Sequence, residues 1–70
     1  MKYLVIFNKD ENGTIWVEVP DLPGCFSSGD TIDEAKKNVV EAIELHIEGL
    51  REEGRPIPAP ETQADFVMVA

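Results

Sequence analysis

Few side chains in this sequence are of a type that does chemistry, and their neighbours decide how each one reads. His46 is the single histidine. It falls on a helical repeat of apolar residues, whereas acid–base work needs a reacting group within hydrogen-bond reach. No serine or second thiol is placed for it, so His46 reads as a core-lining side chain bonded to backbone or water. Cys25 is the single cysteine. It follows Pro23-Gly24, a turn able to expose a thiol, but it has no basic neighbour to lower its pKa and no CxxC companion. It reads as a small buried or half-buried strand residue.

The acidic side chains are the larger group. Glu34, Glu41, Glu44, Glu48 and Glu52 recur along one side of a helical stretch, interrupted only by Lys37. Clustered oxygens suit a hard divalent cation, but ligands strung along a straight helix do not converge as those of a folded loop do. The row reads either as a solvated face or as a docking surface for a basic partner, and neither a metal nor another cofactor is expected. Trp16 has two readings as well. It is an interface anchor, as Trp is at binding hot spots, or a cover over its own hairpin or the helix.

The elements that position these residues meet in Pro20 to Ala35, PDLPGCFSSGDTIDEA. Pro20 and Pro23 cannot donate to a ladder, so the chain leaves its sheet there. Gly24 suits a tight re-entry into a short edge strand, Cys25 to Ser28. Gly29-Asp30 breaks that run, and Thr31 with Glu34 three residues on is a capping box. Asp30, Asp33 and Glu34 put negative charge at the positive end of the helix dipole.

Before the elbow, Lys2 to Asn8 is β-branched and aromatic, apolar on both alternating sets, and reads as a strand. Lys9 to Gly13, ending in Asn12-Gly13, predicts a hairpin turn into Thr14 to Val19. Along that second strand Ile15, Val17 and Val19 share one side and Trp16 and Glu18 the other. After the elbow a helix is expected from Ile32 to about Glu53, stopped by Gly54. Its apolar stripe is Ile32, Ala35, Val39, Ala42, Ile43, His46, Ile47 and Leu50. Gly49 inside it costs about 1 kcal/mol against alanine, which predicts close packing by a neighbouring backbone. Arg55 to Pro60 is expected to cross in an extended, polyproline-like form. Asp65 to Val69 reads as a last strand.

The order is β-β-β-α-β, an α+β fold: a three-stranded antiparallel meander, one helix, and a fourth strand that a right-handed crossover sets parallel to the first. One helix covers one face. The other face keeps apolar residues, which predicts contact with a second copy or another protein.

Seventy residues make one domain, 1–70, burying only about 60% of the surface its unfolded chain exposes. With no internal disulfide and no expected metal, association is the remaining support, and a homo-oligomer, a dimer, is expected. The lone cysteine suits a reducing cytoplasm, and the five-residue apolar run near the N-terminus is too short for a signal peptide or a membrane span. The formal net charge of −8, from 14 acidic and 6 basic residues, argues against direct nucleic-acid binding and fits either plain solubility or a basic protein partner.

Taken in order, Trp16-Val17-Glu18, Asp21-Leu22-Pro23-Gly24-Cys25, Gly29-Asp30-Thr31 with Glu34-Ala35, Glu44-Leu45-His46, Gly49-Leu50 and Pro56-Ile57-Pro58 form a specific set. From Tyr3 to about Pro60 the chain resembles the HicB-like antitoxin family. The resemblance implies a partial ribonuclease-H-like fold and a non-enzymatic protein that binds and masks a small basic HicA-type toxin, an mRNA-cleaving ribonuclease, often as a dimer. Ribonuclease H itself holds metals on acidic residues of several elements, but the first strand here carries no acid. Many members carry a C-terminal DNA-binding segment, which the sequence to Ala70 does not include, so a short form is expected. The expected partner contacts are Glu41, Glu44 and Glu48, or the loop from Asp21 to Phe26 with Trp16. The alternative is a stand-alone homo-oligomeric module that binds another protein or a small ligand.

Overall fold

The computed structural model describes residues 1–70. Strands β1 (Ile6–Lys9), β2 (Ile15–Glu18) and β3 (Phe26–Gly29) precede one helix, α1 (Ile32–Glu52). The sheet order is β1-β2-β3, with both neighbouring pairs antiparallel. This is the expected α+β meander and helix.

The hairpin turns through Glu11, Asn12 and Gly13. Asp10 N donates to Thr14 O (3.0 Å) and Gly13 N to Asp10 O (3.1 Å). Gly13 takes φ +85°, the left-handed position that closes a three-residue hairpin loop. β1 is shorter than the sequence suggests. Its predicted partners turn away at Pro20, so Tyr3 to Val5 have no ladder on that side.

The elbow folds around Leu22. Leu22 N donates to Val19 O (3.0 Å) and Cys25 N to Leu22 O (2.9 Å), while Val19 N reaches across to Cys25 O (3.1 Å). Leu22 is fully buried and joins Ile15, Val17, Val19, Cys25, Ala35 and Val39 in one core. Gly29 does more than break a strand. A Cβ there would lie 2.5 Å from Ala35 N, so only glycine lets the first turn of α1 close onto β3.

Thr31 caps α1, its hydroxyl accepting from Glu34 N at 3.1 Å. At the far end Arg55 N donates to Leu50 O (2.9 Å) and Gly54 N to Arg51 O (3.1 Å), with Gly54 at φ +68°: a Schellman stop. Ala35, Val39 and Leu50 are buried, whereas Ile32, at the stripe's start, is half in water. The close backbone neighbour expected at Gly49 is not there; open space faces its Cα. The helix packs chiefly on β3 and β2, on the side of Ile15 and Val17.

The expected fourth strand is not formed. Nothing after Gly54 is regular, and Phe66 and Met68 are 99% and 97% exposed. A strand exists only by pairing. This segment is steered elsewhere by hydrogen bonds that its sequence does not advertise: Tyr3 OH donates to Pro58 O (2.6 Å), and the Asp21 carboxylate accepts from Glu61 N (3.0 Å), Thr62 N (2.9 Å) and Thr62 Oγ1 (2.6 Å).

Candidate partner-binding surfaces

The face of the sheet away from α1 carries the even-numbered strand residues. In register these are Ile6, Glu18 and Phe26 in one row and Asn8, Trp16 and Ser28 in the next. Trp16 and Phe26, 43% and 60% exposed, lie with ring centroids 6.3 Å apart and planes tilted by 48°. They border a shallow cleft of ≈ 190 Å³ with Asn8, Val17 and Glu18.

Trp16 is held in place by a residue the sequence reading passed over. Its Nε1 donates to Asp10 Oδ2 at 2.9 Å, while Asp10 Oδ1 accepts from Asn12 N (2.9 Å) and Thr14 N (3.0 Å). The indole, above all, holds the Asp10 carboxyl below the usual carboxylate range. The signal was present in Asp-x-Asn-Gly, a turn whose aspartate bonds to its own loop. Trp16 thus covers its own hairpin turn while remaining 43% exposed, with its indole restrained by that hydrogen bond.

Glu41, Glu44 and Glu48 are exposed on α1. The one ion pair within 4 Å, Arg55 to Glu53 at 3.3 Å, lies beyond them, so no salt bridge neutralises the row, although Arg51 borders a depression with Glu44 and Glu48. The sheet lies between this row and the aromatic pair, so the two candidate contacts are separate surfaces. The Asp21 carboxylate accepts from the C-terminal segment, and the Thr62 hydroxyl and amide hold its carboxyl below the usual range.

Cys25 and His46 line one cleft with Phe26, Ala42 and Leu45, a convergence not visible in the sequence. Burial pushes the Cys25 thiol up, away from the thiolate a nucleophile needs. No three His, Cys, Asp or Glu side chains are grouped to hold a metal ion. No helix is long and apolar enough to cross a membrane.

The chain is thus a meander under one capped helix, with an aromatic pair on its open face and a row of acids on its helix. The family model for the HicB-like antitoxin of bacterial toxin–antitoxin systems matches residues 3–68, and the chain belongs to that family. It is 52% identical over 58 residues to the UPF0150 protein Ta0767 of Thermoplasma acidophilum, covering 83% of this chain and 84% of that one. It is 38% identical to Antitoxin HicB 2 of Photorhabdus laumondii, across 99% of this chain but only 50% of that protein. The crystal structure of the N-terminal domain of the Burkholderia pseudomallei antitoxin HicB superposes with a TM-score of 0.65 at 38% identity, over 94% of this chain and 69% of that one.

Proposed function

We propose that this protein is an antitoxin without catalysis of its own, which binds a small basic HicA-type mRNA-cleaving toxin and denies it RNA. The family match over residues 3–68 carries the reading. Complementary charge supports it: the chain has a net charge of −8, and its exposed row Glu41, Glu44 and Glu48 would steer a basic partner and suppress wrong ones. Trp16 and Phe26 supply the apolar anchor on the other surface, where truncation costs most in protein interfaces. The strands, with Glu18 as their single acid, offer no ribonuclease-H-type metal site, which supports binding over catalysis. The same acidity speaks against direct nucleic-acid contact. We place the protein in the cytoplasm, where such a toxin meets mRNA, and read it as a homodimer.

A tagged pull-down from the native host at low salt tests the reading. Recovery of a small basic protein in near-equal amount, released by salt, is the expected result. With that partner in hand, changing Glu41, Glu44 and Glu48 together to Gln slows association and flattens its salt dependence. Recovery of the chain alone, as a partnerless dimer, replaces the antitoxin with a stand-alone oligomeric module.

A further inference from the structure

Two features of the chain are incomplete in complementary ways. The first is the outer edge of β1. Its backbone pairs on one side only, with β2. Beside it runs a largely apolar groove of ≈ 410 Å³, lined by Tyr3 and Val5 and by Val39, Val40 and Ile43 of α1, with Lys2, Lys36 and Glu44 also on its walls. The groove has the place and polarity to take the inward face of one more strand. The sheet's other edge is less open: Ser28 O on β3 already accepts from Asn38 Nδ2 at 2.8 Å.

The second feature is Asp65 to Val69. Phe66, Val67, Met68 and Val69 are all more than four-fifths exposed, a concentration of apolar surface that a folded protein seldom leaves in water. The sequence alternates as a strand does, yet it has no ladder. Its course explains why it does not fill its own groove. After passing the Tyr3 hydroxyl at Pro58, the chain is tied at Glu61 and Thr62 to Asp21. Asp21 lies in the elbow that leaves β2, on the side of β1 away from its free edge. Residues 63–70 thus depart from their own groove with a reach of about 25 Å when extended.

We infer that Asp65 to Val69 of one copy adds as a fourth strand to the β1 edge of a second copy and fills that copy's groove under α1, the exchange being reciprocal. Main-chain hydrogen bonds along Tyr3 to Phe7 supply the ladder. Alternate side chains of the added strand enter the groove, and the others extend the open face beside Ile6. A two-fold exchange satisfies both edges and both tails at once, and it closes, so it makes a dimer and not a fibre. This inference rests on the homodimer part of the function proposed above and not on the toxin.

The experiment uses the full chain, with 15N-labelled and 13C-labelled copies unfolded together, refolded and examined by isotope-filtered NMR beside light scattering. The expected result is a mass twice the 7.8 kDa of one chain, with NOEs from Tyr3 to Phe7 amides of one copy to Val67 and Val69 methyls of the other. Phe66→Asp with Met68→Asp then weakens the dimer at least about tenfold, as loss of central apolar anchors does. NOEs confined to one chain overturn the exchange and make the strand intramolecular. A dimer that lacks these NOEs, or is unmoved by the double variant, overturns it while the dimer stands. A wild-type monomer with an exposed tail overturns both. Contacts that appear only on adding a basic partner assign the groove to that partner instead.

Discussion

Residues 6–54 and residues 55–70 of this chain are built on different terms. The first stretch closes on itself: each strand has a ladder, the helix has both caps, and Leu22 plugs the space where the elbow would otherwise leave a hole. The second stretch has no ladder and no core, and hangs on one tyrosine hydroxyl and one aspartate. Both are rich in apolar residues. Hydrophobicity alone therefore does not fold a segment; it needs a surface within reach that it fits.

The contrast can be broken most severely at Leu22. Leu22→Ala removes a fully buried side chain and costs about 3 kcal/mol, most of what a core this small supplies, so chemical denaturation should show a much lower midpoint or no folded baseline. Gly29→Ala comes next, at about 2 kcal/mol, because its methyl must push backbone, Ala35 N, and not the tip of a flexible side chain. Equal stability of Gly29→Ala and wild type would mean that α1 does not sit this close to β3.

The second region should respond to acid, with little change in the first. Hydrogen bonds from Thr62 lower the folded pKa of Asp21 below its value in the free chain, about 3.9. The tether is therefore fully present above that unfolded value and is lost as pH falls through the lower folded one. The Thr62 amide resonance should move across this window while those of Val17 and Val39 stay put, and Asp21→Ala should release the tail already at neutral pH. Loss of both regions together at one pH would show that the tail is part of the cooperative unit.

Much of the first region was legible because its determinants are local. Asn12-Gly13 marks the hairpin, two prolines and Gly24 mark the elbow, and Thr31 and Gly54 bracket the helix. The open-face pair was only half legible. Alternation put Trp16 on the outer side, but Phe26 joins it through the β2–β3 register, which depends on how the elbow folds. Asp21 looked like a free loop acid because its partners lie 40 and 41 residues away.

What the sequence by itself determined is the order of elements through α1 and the faces of β2 and α1, from periodicity and turn chemistry, the acidic charge, from composition, and the family, from the resemblance of its motif set. The tertiary structure decided the rest: which face of the sheet α1 covers, that Gly29 is there for the approach of the helix, and that Phe66 to Val69 form no strand within their own chain. The physical reason is the same in each case. Those outcomes depend on surfaces brought together from distant parts of the chain, and a pattern along one segment carries no information about whether its complement is within reach.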